Sequence, residues 1–538
     1  MSDTEKTAGS NNKFLKGTLI LTVSSIVVKV IGSLNWIILS RVLGGEGIGL
    51  YQMGFPIYLM AITLSSAGIP VAISIITAEK LAQKDFLGAK RVFNVSLRLL
   101  FVTGLVFASA LFFGAQWLVD NHWIRDGRAY YSIIALAPAV FFVTFLASFR
   151  GYLQGWQIMT PTAASEIVEQ LMRVITMIVF ANMFMPHGLA YAAGGASMGA
   201  GVGAFCALLV LMWFYGRLKH KLKEDLVQQN PLAVRESARA IISRLLRLAL
   251  PVSMSSLMLP VVANLDLLIV PQRLEAAGFH ISQATEFFGY LTGMAVPLIN
   301  LATIFTAAMT ISLVPAISES RALNDTDGIL AKTRTAFRVA LIITCPCFVG
   351  MYFLAEKIAA LIYNAPGAAS AIQTMSAGIL LLGLHQISTG ILQGLGRTSI
   401  PVINMILAAA VKVVLSWSLT AIPTLGIKGA AMATVVDFGM AAVLNMIFIY
   451  KYTGFALSFN GVFKPALASA VMGAALYGVI MLTSGWGAWA ILAAIAVAVP
   501  VYGGVLLATG GMDKNDLNSL PFIGHRLLAV GQRLGYFR

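Results

Sequence analysis

The chain has 538 residues, of which 58% are hydrophobic and only 11% charged, with a mean hydropathy of +0.83. A soluble domain carries roughly 25% charged residues, so this composition excludes a soluble protein and points to an all-α polytopic membrane protein. The net charge of +15 sits between apolar runs rather than on a basic surface interleaved with aromatics, which assigns it to membrane lipids and topology control, not to nucleic acid.

Residues 1–13 are polar and read as a disordered cytoplasmic N-terminus. A crossing helix needs about 20 mostly apolar residues. That test places spans near 14–43, 49–78, 91–119, 129–152, 160–185, 189–216, 241–271, 285–314, 333–356, 369–394, 400–423, 427–451, 462–483 and 487–509, about fourteen in all. The first run is too long for a signal-peptide core and reads as a retained span. With the N-terminus inside, 27 of the 37 Lys and Arg fall in inside segments, six outside and four within spans. That bias sets both termini on the cytoplasmic side.

Residues 149–161, FRGYLQGWQIMTP, are echoed by 388–401, STGILQGLGRTSIP. Gly151, Leu153, Gln154, Gly155 and Pro161 match Gly390, Leu392, Gln393, Gly394 and Pro401. A repeat of that period predicts two related six-helix lobes with a parallel pseudo-two-fold relation. The expected organisation is an N-lobe at 14–216 (spans 1–6), a basic cytoplasmic linker at 217–240 and a C-lobe at 241–451 (spans 7–12). Spans 13 and 14 at 462–509 and a cytoplasmic tail at 510–538 follow.

The three cysteines, Cys206, Cys345 and Cys347, lie inside apolar runs and form no disulfide framework. No GxxxxGK[ST] phosphate loop occurs, so ATP hydrolysis within this chain is not expected. No cofactor is implied beyond Na⁺ or H⁺ as a coupling ion. Glycine-rich stretches such as 194–205, GGASMGAGVGAF, predict close helix approach.

An ionisable group at mid-membrane costs about 2.5–3.5 kcal/mol on insertion scales and is a functional candidate by default. Lys29, midway along span 1, fits a phosphate-binding point charge near Asn35, or a lysine paired with a buried carboxylate. Span 5 aligns Glu166, Glu169 and Arg173, with Gln170, along one helix face. A Glu–Arg pair there neutralises itself and leaves a second Glu for a proton or cation; the alternative is an inert interlobe network. In span 7, Asn264 and Asp266 lie between Pro260 and Pro271, whose freed carbonyls would suit Na⁺ at Asp266. The alternative pairs Asp266 with Lys29. Both readings put Asp266 in a cavity. His385 and Gln386 read as packed polar groups.

A second echo joins 67–74, AGIPVAIS, to 312–318, SLVPAIS. With SRVLGGEGIGLYQM (40–53) and the stretch 289–319, these segments resemble the stage V sporulation protein B group of polysaccharide-biosynthesis proteins. That group belongs to the multidrug/oligosaccharidyl-lipid/polysaccharide (MOP) flippase superfamily, and lipid II flippases are more distant relatives. The resemblance implies two lobes around a central cavity, two extra helices, and alternating access for a lipid-linked oligosaccharide. Lys29 falls where the lipid II flippases carry a cavity arginine. Asn35 and Trp36 replace their adjacent Arg-Asp pair.

The function expected is a flippase in the bacterial cytoplasmic membrane. It would move an undecaprenyl-pyrophosphate-linked saccharide, lipid II or a related envelope precursor, from inner to outer leaflet. The alternative is a cation-coupled exporter of amphipathic drugs from the same superfamily. A membrane glycosyltransferase or polymerase is the remote alternative: the outside acids Glu46, Asp120, Asp126 and Glu275 form no convincing pair.

Overall fold

The computed structural model describes residues 3–66, 68–225, 229, 236–483, 485–487 and 489–511. All regular structure among them is helical. The calls for 512–538 and for most of 226–235 lie outside the described residues. Residues 3–13, expected to be disordered, instead continue the first helix as helical backbone.

The chain divides into two compact units, Met1–Gln272 with His280–Gly289, and Arg273–Phe279 with Tyr290–Arg538. The first holds α1 (Asp3–Ser66), α2 (Ile69–Ala82), α3 (Phe86–Asp120), α4 (Tyr130–Gly155), α5 (Thr160–Phe184), α6 (Leu189–Asp225), α7 (Ala238–Ala276) as far as Gln272, and α8 (Ile281–Gly289). The second holds α9 (Val296–Ala302), α10 (Ile304–Ala322), α11 (Thr326–Lys357), α12 (Ala369–Met375), α13 (Ala377–Gly394), α14 (Ser399–Leu419), α15 (Ile427–Thr453), α16 (Phe459–Leu482) and α17 (Trp489–Ala508). The repeat placed the division at 217–240, ahead of span 7. The contacts place it within α7, because that helix packs on α1 and α2. Its Asn264 donates to the Pro56 carbonyl of α1, and Arg244 pairs with Glu79 of α2.

Eleven described helices are long and apolar enough to cross a bilayer, or up to thirteen if each of two sharply bent pairs counts as one span. The first, Val23–Ala82, has 60 residues. A straight helix of that length would measure about 90 Å, three times the hydrocarbon core. It is broken instead at Gly44 (φ 67°, ψ −176°), a conformation only glycine adopts without strain. The sequence's first two spans are therefore merged across a kink, which with the two bent pairs accounts for the difference between eleven and fourteen. The protein is a multi-pass membrane protein. Large apolar side chains such as Phe113 (77% exposed) and Val106 (57%) point outward from α3, as a hydrocarbon solvent permits.

In each unit the Gly-Gln-Gly repeat packs on the second echoed segment. A Cβ on Gly151 of α4 would lie 2.6 Å from the Pro70 carbonyl oxygen of α2, and one on Gly155 would lie 2.6 Å from Thr77 Cβ. In the second unit a Cβ on Gly390 of α13 would lie 2.8 Å from Thr310 Cγ2 of α10, and one on Gly394 would lie 2.7 Å from Ile317 Cβ. Two small residues four apart let two backbones meet where larger side chains would hold them apart.

Candidate functional site

α5 has two unlike faces. Leu171, Ile175, Val179 and Met183 form an exposed apolar stripe at four-residue spacing. Arg173 lies two residues, or roughly 200°, from Leu171, so the charged face turns away from that stripe. α6 holds this face in place. Cβ atoms on its Gly199 and Gly203 would lie 2.8 Å from the Arg173 carbonyl oxygen and 2.5 Å from the Glu169 carbonyl oxygen. The glycine-rich 194–205 stretch thus gives the close approach expected of it.

Glu169 is the centre of an ion triad. Arg150 Nη2 of α4 donates to its Oε2 at 2.8 Å, and Arg173 Nη2 donates to its Oε1 at 2.9 Å. The three side chains are 14–18% exposed. Arg150 Nε also donates to Ser165 Oγ at 3.1 Å. Tyr51 and Tyr58 of α1 are electrostatic neighbours of Arg173. Both carboxylate oxygens of Glu169 are therefore taken. Glu166, one turn earlier and half-buried, has Ser24 of α1 as its hydrogen-bond neighbour. It makes no ion pair among the described residues. The charges of Arg150, Arg173, Glu166 and Glu169 balance, and among the described residues the ion pairs of this face all run to Glu169.

The other candidates diverge. Lys29 is exposed and its side chain has no carboxylate partner among the described residues. Asn35, six residues and roughly 240° further round the helix, is buried at 4% exposure. Its Nδ2 donates to Met177 Sδ at 3.6 Å, while its Oδ1 is buried without a partner. Asn264 Nδ2 donates to the Pro56 carbonyl at 2.9 Å and the Pro260 carbonyl at 2.8 Å. The carbonyls that Pro260 and Pro271 free lie four residues earlier, at Ser256 and Leu267, and are not the ones this amide engages. Asp266 is half-buried and lies roughly 200° from Asn264 around α7. No group of three His, Cys, Asp or Glu that could hold a metal occurs among the described residues. No step is derived through a sodium ion at Asp266.

Arg150 is the residue that sequence reasoning missed. By the topology rule alone it is one of the basic residues at the inner end of span 4. α4 runs on to Gly155, so Arg150 lies more than a turn inside the helix. Only a charge set directly behind the apolar run FVTFLASF hinted at it. In the second unit, Asn445 Nδ2 donates to Ser388 Oγ (3.2 Å) and Thr389 Oγ1 (3.1 Å), and its Oδ1 accepts from Asn404 Nδ2 (2.9 Å). Thr306 Oγ1 donates to Gln386 Oε1 at 2.6 Å, so Gln386 is a packed polar group as expected.

A family profile described as polysaccharide biosynthesis protein matches residues 14–321, and one described as MatE matches 292–418. The chain is 29% identical over 527 residues to stage V sporulation protein B of Bacillus subtilis (strain 168), covering 96% of this chain and 99% of that one. It is 24% identical over 461 residues to the lipid II flippase MurJ of the same organism, covering 83% and 84%. Among solved structures, the lipid II flippase MurJ in an inward closed conformation superposes with a TM-score of 0.67 at 14% identity, covering 90% of this chain and 98% of that chain. An inward-facing multidrug resistance MATE family transporter of the MOP superfamily gives 0.64 at 16% identity, covering 81% and 98%. At these identities the structural likeness establishes a shared fold.

Proposed function

Because the chain belongs to the polysaccharide biosynthesis protein family, a membrane flippase and transporter group of the MOP superfamily, we propose that it moves an undecaprenyl-pyrophosphate-linked saccharide from the inner to the outer leaflet by alternating access. The relative named a lipid II flippase covers most of the chain and supports a lipid-linked substrate. The observation that carries the reading is Lys29. It is an exposed cation in an apolar run with no carboxylate partner among the described residues, so its charge remains available to a phosphate. Glu166 is the coupling group in this reading: a carboxylate without an ion pair, one turn from a closed triad, suited to exchange a proton or a monovalent cation. The chain would sit in a bacterial cytoplasmic membrane with both termini inside, as its basic residues dictate.

Cation-coupled export of amphipathic drugs is the second reading, favoured by the MatE match at 292–418. One experiment separates the two. Cells depleted of their own lipid II flippase receive this chain, and lipid II reaching the outer leaflet is assayed. Rescue is expected. Lys29→Ala and Glu166→Gln should each abolish it while membrane abundance stays at the wild-type level. Full rescue by Lys29→Ala removes Lys29 from the mechanism. Failure of well-expressed wild-type protein, together with drug resistance in the same cells, replaces the flippase reading with drug export.

A further inference from the structure

Away from the ion triad, the second unit carries two cavities that share a wall. The first, of about 420 Å³, is lined by Arg334, Arg338 and Lys464 with Ser458 and Asn460, and no Asp or Glu is among its lining residues. The second, of about 340 Å³, is lined by Val443, Met446, Ile447, Ile449 and Tyr450 of α15. Phe455, Ala456 and Leu457 border both. That connecting segment is held in place by Phe455, whose ring stacks on Phe337 of α11 at 5.4 Å and 5°.

The chemistry of the first cavity is that of an anion site. Arg334 and Arg338 lie one turn apart on α11, so both reach the same side of the helix. Arg334 is exposed and makes no hydrogen bond or ion pair among the described residues. Lys464 donates one hydrogen bond, to the Gly510 carbonyl at 2.9 Å, which leaves two of its three N–H groups. The backbone at the start of α16 adds its positive end, with Ser458 capping Gly461 N at 3.2 Å. The second cavity is the opposite. Val443, Ile447 and Tyr450 are 56%, 56% and 60% exposed and fall at spacings of four and three, so they form one open apolar strip along α15.

We propose that these adjoining cavities hold one anionic phospholipid, its phosphodiester among Arg334, Arg338 and Lys464 and an acyl chain along the Val443–Ile447–Tyr450 strip. A free phosphate would use only the first cavity and a neutral lipid only the second. The shared wall of three residues matches a molecule that joins a charged head directly to a hydrocarbon chain. Basic pockets between membrane helices recognise lipid headgroups in this way.

The test is native mass spectrometry of the full-length chain purified in detergent, titrated with phosphatidylglycerol and phosphatidylcholine of matched chains. Preferential retention of phosphatidylglycerol is expected. Arg334→Gln with Lys464→Gln should weaken that retention roughly 30-fold, which corresponds to about 2 kcal/mol at about 1 kcal/mol per cation. Lys451→Gln, whose residue lines neither cavity, should leave it unchanged. Ile447→Asn should weaken long-chain phosphatidylglycerol and spare a short-chain analogue. If the double variant does not fold, Arg334→Gln alone serves, since that side chain is exposed and unpaired among the described residues. Undiminished retention by a folded Arg334 variant overturns the site. Displacement by inorganic phosphate makes it a soluble-anion pocket, and stronger displacement by an isoprenyl diphosphate makes it a substrate site. Either result overturns the phospholipid assignment.

Discussion

Replacing Glu169 with Gln keeps the side chain's shape and removes its charge. The wild-type carboxylate neutralises Arg150 at 2.8 Å and Arg173 at 2.9 Å. Without it, two guanidiniums face a neutral amide that can accept well from only one of them. An ion pair at 4 Å and an effective dielectric of 20 is worth about 4 kcal/mol, and removing one partner of a buried pair costs about 3–5 kcal/mol. The side chains here are 14–18% exposed, which moderates the loss. The expected destabilisation of Glu169→Gln is therefore about 3 kcal/mol, or a fall in Tm of roughly 6–12 °C for a unit of this size. Intrinsic tryptophan fluorescence during thermal unfolding in detergent reads it. Arg150→Met should recover part of the loss when combined with Glu169→Gln, with a coupling of about 1–3 kcal/mol. A Glu169→Gln protein that melts with the wild type, or strict additivity in the cycle, would show that the triad does not hold α4 to α5.

Gly394→Ala puts a Cβ 2.7 Å from Ile317 Cβ and 2.9 Å from the Val314 carbonyl oxygen, an overpacking expected to cost about 1–3 kcal/mol. Gly350→Ala, which meets nothing within 4 Å, should be neutral or stabilising; equal melting of the two variants would refute close packing between α10 and α13. At the α2–α3 turn, burial alone would raise the Asp85 carboxyl, but hydrogen bonds from Gln229 and the Gly88 N–H, with the nearby Lys80 ammonium, outweigh it and hold the group below its ordinary value. A depressed carboxylate stabilises the fold above its unfolded pKa, about 3.9, and loses that contribution as pH falls through the lower folded value. Asp85→Asn should therefore lower Tm by a constant amount at neutral and mildly acidic pH, and the gap should close only in strong acid. A gap that closes near pH 6 would contradict this assignment.

Much of the fold was legible because it follows from local rules. Apolar run length gives the spans, and spacing along one helix gives the Glu166–Glu169–Arg173 face. The matched glycine pairs and the Pro-Val-Ala-Ile-Ser and Val-Pro-Ala-Ile-Ser segments were equally visible, as two separate echoes. That one packs on the other, Gly155 against Ser74 and Thr77 and Gly394 against Ile317, is a tertiary fact that no period records. Arg150 escaped for a related reason. At the end of an apolar run an arginine satisfies the topology rule completely, so nothing in the sequence asks for a partner. Glu169 supplies one from another helix.

The prolines of α7 show how the same residues support two chemistries until a neighbour is known. Pro251, Pro260 and Pro271 each remove a backbone donor and free the carbonyl four residues earlier, at Arg247, Ser256 and Leu267. Read along the sequence, free carbonyls beside Asp266 resemble the start of a cation site. In the structure the amide of Asn264 binds the Pro260 carbonyl of its own helix and the Pro56 carbonyl of α1 together. A proline-weakened segment is thus tied to a neighbouring helix by a side chain one turn away. The same bond explains why α7, which follows the linker in chain order, packs with the first unit. The perturbation that separates the two readings is therefore Asn264→Ala. Loss of a helix-to-helix bond predicts lower stability with or without sodium, whereas release of two carbonyls for a cation predicts a new sodium-dependent rise in Tm.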